Sequence, residues 1–242
     1  MIAERGRMAW PLVAALAMVV TLGTACSVDG ASHPDISARM VDAADFPAGL
    51  TPTTVVGPAR AALVSDVVGD VQGGRVEPDS CAPTPLSSNP ADSAAMVAQL
   101  SASSVLPGTL TVVTTRVSTP LSDLENQVGQ CKSYVRTNAA GASSTVRQTI
   151  IDLAEPSIPG VSTLGIARTQ TTGGSATGGQ GESAVGVASK TYVAQRDGVR
   201  VYVVYRGVAT TDAANAEPTQ VASVSTPDLD ALFVKAVSAS FA

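Results

Sequence analysis

Residues 183–209 read SAVGVASKTYVAQRDGVRVYVVYRGVA. Two β-rich runs, 183–195 and 199–209, flank Asp197-Gly198. Asp-Gly between such runs is a strong hairpin signal, because the two-residue turn that matches strand twist needs left-handed backbone at both positions. The second run also alternates. Arg200, Tyr202, Val204 and Arg206 fall on one face, opposite Val199, Val201 and Val203.

Working outward, STVRQTIIDLAE (144–155) and VSTLGIARTQT (161–171) are further strand candidates on either side of Pro156–Gly160. The Gly-rich segment 172–182 reads as a connection into the hairpin: a phosphate-cradling loop needs Lys-Ser/Thr after its last glycine, and Gly181 is followed by Glu182-Ser183. Upstream, TLTVVTTRVS (109–118) follows Pro107-Gly108 and reads as a strand. STPLSDLENQVGQCKSYV (118–135) predicts a helix, since Leu121, Leu124, Val128, Cys131 and Val135 recur at helical spacing. Ser122 with Glu125 fits a capping box, and Thr119-Pro120 offers a start one turn earlier. Thr226-Pro227-Asp228 opens a last helix with Leu229, Leu232, Phe233, Ala236 and Val237 on its apolar face.

The earlier part of the chain is less definite. From Ile36 there is a short apolar-periodic turn, stopped by Pro47 and Gly49, and 51–57 is β-rich and brief. Residues 59–71 and 91–100 each fit helix or strand, and 72–93 read as an irregular connection holding Cys81. The pattern predicts one α+β domain over residues 36–242, an antiparallel sheet with one inserted helix and a C-terminal helix.

The N-terminus is of another kind. Arg5 and Arg7 precede an apolar stretch from Met8 to Leu22, followed by Gly23, Thr24, Ala25 and Cys26. Charged head, apolar middle and small-residue end make a signal peptide. The apolar part falls short of the ~20 residues a membrane-crossing helix needs. Leu22-Gly23-Thr24-Ala25-Cys26 resembles the bacterial lipobox, although Gly23 sits where most lipoboxes place Leu. The resemblance implies cleavage before Cys26, thioether diacylation of its sulfur and N-acylation of the new terminus. Two or three chains anchor stably where one binds only reversibly. Residues 26–35 would then be the lipidated cysteine and its tether, and the membrane a partner held through acyl chains.

Without residues 1–25, which carry Glu4, Arg5 and Arg7, the 15 basic and 20 acidic residues fall to 13 and 19, a net charge of −6. Such a chain lacks the basic footprint of a nucleic-acid binder. With Cys26 assigned to lipid, Cys81 and Cys131 remain, and an even pair outside the cytoplasm suggests a disulfide. A reactive thiol pair would want C-x-x-C spacing or a basic neighbourhood beyond Lys132.

No residue set reads as catalytic. The single histidine, His33, sits in the tether, and neither G-x-S-x-G nor S-x-x-K occurs. No Cys/His cluster or Asp spacing suggests a metal, and no cofactor is expected. Asp123 and Glu125 fit the first turn of a helix, where carboxylates favour the dipole. A sharper candidate is the arginine face: Arg200 and Arg206 on one strand, with Arg147 and Arg168 on neighbouring candidates. If they share that face, their guanidinium forks suit a phosphate or carboxylate; the alternative is a solvated face with its charges paired to nearby Asp and Glu.

A lipobox, a short tether, Asp45-Phe-Pro-x-Gly49, a Pro-flanked Cys81, and a helix carrying a second cysteine before a run of strands form an arrangement. It resembles mycobacterial cell-envelope lipoproteins that carry a secreted domain of unknown function and, more distantly, the extracellular sensor domain of mycobacterial Ser/Thr kinases. Those sensor domains generally carry two disulfides; this chain has cysteines for one beyond Cys26. The resemblance covers about residues 36–242. It implies an extracytoplasmic, lipid-anchored, non-enzymatic module that binds an envelope glycolipid, a peptidoglycan fragment or another envelope protein. Two alternatives stand beside it: a carrier of apolar lipid or glycolipid, and a cell-wall hydrolase or transferase using a carboxylate pair.

Overall fold

The computed structural model describes residues 35–70, 73–100, 108–153, 158–172, 186–209 and 227–241. Cys26, the tether apart from Asp35, and the Gly-rich segment 172–182 apart from Thr172 lie outside them. None of the described helices is long and apolar enough to cross a membrane.

The fold is α+β, built on one nine-stranded antiparallel sheet. In chain order the elements are β1 (Thr53–Thr54), α1 (Gly57–Val68), β2 (Arg75–Glu77), β3 (Ser93–Leu100), β4 (Gly108–Arg116) and α2 (Leu121–Gln130). They continue with β5 (Ser133–Thr137), β6 (Ser143–Ile151), β7 (Ser162–Thr172), β8 (Gly186–Arg196), β9 (Val199–Ala209) and α3 (Pro227–Phe241). The sheet order is β1-β3-β4-β9-β8-β7-β6-β5-β2. The β8–β9 turn is as the sequence predicts: Asp197 and Gly198 have φ of 50° and 72°, and Arg196 pairs with Val199.

Two segments differ from the sequence reading, and a third settles a choice the sequence left open. The helix expected over 118–135 starts at Leu121, so Ser122 lies inside its first turn rather than capping it, and it ends at Gln130. Cys131 leaves helical backbone (φ −103°, ψ 56°), and Ser133–Thr137 then pairs with β6 as β5. Tyr134, Val135 and Thr137 suit a pleated surface, and the ladder outweighs the continuing helical period. Secondly, the expected irregular connection 72–93 contains β2, which pairs with β5 at the sheet edge. Thirdly, residues 59–71, open between helix and strand, lie mostly in α1: Pro58 stands in its first turn and Gly69, at φ 85°, ends it in left-handed backbone. Of residues 91–100, Ser93–Leu100 form strand β3.

Connectivity explains the layers. β1 and β2 lie at opposite edges of the sheet, so the link between them, including α1, crosses a whole face. The link from β4 to β5 through α2 crosses the same face. There α1 contributes Val64, Val67 and Val68, and α2 contributes Leu121 and Val128, against Val113, Leu164, Ile166, Tyr202 and Val204. The opposite face packs under α3. Leu229, Leu232, Phe233, Ala236 and Val237 meet Val199, Val201, Val203, Tyr192 and Tyr205, with Phe233 edge-on to Tyr192 at 5.5 Å. β9 is therefore covered on both sides: Val199 to Tyr205 are all buried.

Candidate functional site

Arg200, Tyr202, Val204 and Arg206 do share a face of β9, and that face lies beneath α1 and α2. It is not a solvated surface. Cross-strand register carries one row from Arg206 through Ser189 and Arg168 to Gln148. Arg147, one residue before Gln148, points the other way; it is exposed while Gln148 is buried. The four arginines thus divide into three environments.

Arg200 is only 4 % exposed and fully engaged. Its Nε donates to Gln195 Oε1 (2.7 Å), Nη1 to the Tyr202 hydroxyl (3.1 Å), and Nη2 to the carbonyls of Thr119 (3.0 Å) and Pro120 (3.2 Å). Those carbonyls lead into α2, and Arg200 shares them with Gln195 Nε2, which also donates to Thr119, and with the Asp123 N–H, which donates to Pro120. Burial raises the Tyr202 phenol above its ordinary value, while the Arg200 guanidinium pulls it back. Arg200 and Tyr202 floor a cleft of about 310 Å³. One wall is α2, through Asp123, Asn126, Gln127 and Gln130; the other is the segment of Ser80, Pro83 and Thr84. Glu125 does not line it.

Cys81 and Cys131 hold these walls together as a disulfide with a 2.08 Å bond. Cys81 ends the short turn beside Ser80, and Cys131 ends α2 beside Gln130. A sequence separation of 50 gives the bridge about 4 kcal/mol in the chain-entropy account. Gln127 Nε2 adds a second tie by donating to the Ala82 carbonyl (2.6 Å).

Arg206 and Arg168 sit elsewhere, at the C-terminal end of α1. Arg206 pairs with the Asp66 carboxylate through Nη1 and donates from Nη2 to the Asp66 carbonyl (3.4 Å). Arg168 donates from Nε to Gln148 Oε1 (2.9 Å) and from Nη1 to the Val67 carbonyl (3.5 Å). Cationic side chains suit the partial negative charge of a helix C-terminus. A third guanidinium, Arg136 on β5, joins them around a small pocket of about 30 Å³ with Tyr134, Gln170 and Ser189. Burial is the main cause holding Arg136 below its ordinary pKa; Arg206 and Arg168 add to this, and Asp66 and Tyr134 oppose it. Sequence reasoning missed Arg136, because reading 133–135 as a helix tail hides the alternation that puts Tyr134 and Arg136 on this face. No group of His, Cys, Asp and Glu suited to a metal occurs among the described residues.

No family model matches the chain, and no curated protein is similar to it in sequence. Among solved structures it is similar to an uncharacterised protein of Mycobacterium smegmatis, the Rv0999 ortholog. That likeness has a TM-score of 0.45 and 20% identity, and covers 86% of this chain and 99% of the other.

Proposed function

We propose that the protein is a lipid-anchored module of a bacterial cell envelope that binds a small polar ligand without transforming it. The cleft over Arg200 and Tyr202 is the observation that carries this reading. Its volume of about 310 Å³ lies at the lower end of the ~300–1,000 Å³ typical of ligand sites. Its walls offer hydroxyls and amides from Ser80, Thr84, Asn126 and Gln130 around a smaller apolar part. Hydroxyl-rich pieces of envelope glycolipid or peptidoglycan match that lining. A carrier of apolar lipid needs aliphatic walls instead, and an acid/base pair needs a second carboxylate beside Asp123. Sheet and disulfide keep the walls in place, which lowers the ordering cost of binding. The lipobox-like sequence ending at Cys26 supplies the anchor, so the domain works at the extracytoplasmic face of the membrane.

Mass spectrometry of protein purified natively from membranes, beside a Thr84→Trp variant that fills the cleft, tests both halves. The expected result is an N-terminal peptide beginning at acylated Cys26, and a non-covalent adduct on the parent that the variant lacks. A free Cys26 thiol overturns the anchor. A bare parent, or the same adduct on the variant, overturns the cleft.

A further inference from the structure

The arginine pocket is separate from the cleft and takes a different ligand chemistry. Arg136, Arg168 and Arg206 gather around it, with one carboxylate, Asp66, among them. The end of α1 adds roughly half an elementary negative charge. The pocket is therefore left with an excess of between one and two positive charges. Arg168 and Arg206 are spoken for by protein acceptors, which fixes their planes. The Arg136 side chain makes no hydrogen bond or ion pair among the described residues, yet it is half-buried and feels the repulsion of both neighbours. Gathering like charges on a rigid sheet destabilises the empty fold, and an anion between them reverses the sign of the interaction. Gln170 and Ser189 line the same pocket and bring neutral donors.

We propose that Arg136, Arg168 and Arg206 bind the terminal phosphate of a phosphomonoester. Charge selects this group: a phosphomonoester carries about −1.5 to −2 at neutral pH, which matches the excess, whereas a carboxylate or phosphodiester supplies only one negative charge. Size agrees, since about 30 Å³ admits two or so water-sized centres, enough for an oxyanion and too little for the group it is attached to. The remainder of the ligand stays outside, as the half-buried guanidinium of Arg136 allows. This site does not depend on the cleft, and neither reading falls with the other.

The experiment is calorimetric titration of the full chain in a neutral detergent. The probes are inorganic phosphate, glycerol 3-phosphate, and micelles doped with short-chain phosphatidic acid or with phosphatidylcholine. At least one phosphomonoester or phosphate probe is expected to bind, and phosphatidylcholine is not. Binding of the soluble phosphates alone assigns a water-soluble ligand, and binding of phosphatidic acid alone assigns a lipid headgroup. Arg136→Gln is expected to weaken binding at least tenfold without lowering the melting temperature of the ligand-free protein, since Arg136 holds no other element in place. Arg136→Lys, which keeps the charge and loses the fork, is expected to fall between. No binding of any phosphate, equal binding of phosphatidylcholine, or unchanged affinity in Arg136→Gln overturns the proposal.

Discussion

The two faces of the central strand β9 are both buried, but they are buried differently. Towards α3, Val199, Val201, Val203 and Tyr205 meet a continuous apolar stripe. Towards α1 and α2, the alternate residues include two arginines and a hydrogen-bonded tyrosine. The difference lies in what covers each face. α3 lies along β9 through its apolar side chains, and its last carbonyl, at Phe241, is met from the neighbouring strand by Arg196 of β8. α1 and α2 belong to connections that cross the sheet, and their ends bring backbone carbonyls onto it. Arg200 meets the carbonyls leading into α2, and Arg168 and Arg206 meet those leaving α1. Arg168 and Arg206 do for the C-terminal end of α1 what capping residues do elsewhere, and Arg200 ties the turn before α2 to the sheet. Nor is the α3 side wholly apolar: Lys190 is 4 % exposed there, and burial holds its ammonium below the ordinary value while Asp230 opposes.

Substitutions on each face put that contrast to the test. Phe233→Ala, on the apolar face, should cost about 3–5 kcal/mol in urea unfolding and leave phosphate binding by the folded protein unchanged. A loss below about 1 kcal/mol would mean that α3 seals the sheet less tightly than its packing indicates. Tyr202→Phe keeps the ring but leaves Arg200 Nη1 without its acceptor, for an expected loss of about 1–3 kcal/mol near neutral pH. It also carries a pH signature. The Tyr202 pKa is raised above 10.0 in the folded protein, so its contribution is present below that pH and is lost as pH climbs through the folded value. Stability of the parent should thus fall more steeply above pH 10 than that of Tyr202→Phe, and parallel curves would refute the linkage. The smallest change is expected from Arg147→Ala, which removes an exposed arginine from the other face. It should shift stability by less than about 1 kcal/mol and leave phosphate affinity untouched; a loss of affinity would place Arg147 with the other three.

The sheet was largely legible in the sequence where turns and strands were long. Asp197-Gly198, the β-branched density of 109–118 and the runs around Pro156–Gly160 each led to strands, and those from β6 to β9 pair in chain order. Short elements were not legible. Three residues of β2 and five of β5 carry little periodicity, and β5 follows directly on a helix whose stripe its valine happens to continue. The alternation of β9 disclosed which side chains share a face but not what lies over it. That depended on α1, where Val64, Val67 and Val68 sit at helical spacing within a run that also fits a strand. The missing cover is why Arg200 and Arg206 read as one anion clamp. Six residues of strand separate them by about 20 Å, and their guanidinium groups serve different helices.

The pairing of β4 with β9 has a consequence for how the chain reaches its native state. It is the seam between β1-β3-β4 and the run from β9 to β5, and four other strands intervene along the chain. Contacts so distant in sequence are slow to form, because a large loop must close before they contribute. A chain emerging amino end first would hold β3 and β4 as a hairpin with one flank unsatisfied until β9 arrives. Completion of the sheet therefore waits on β9, and a nascent chain stalled before it should be the species most exposed to proteases and to pairing with strangers.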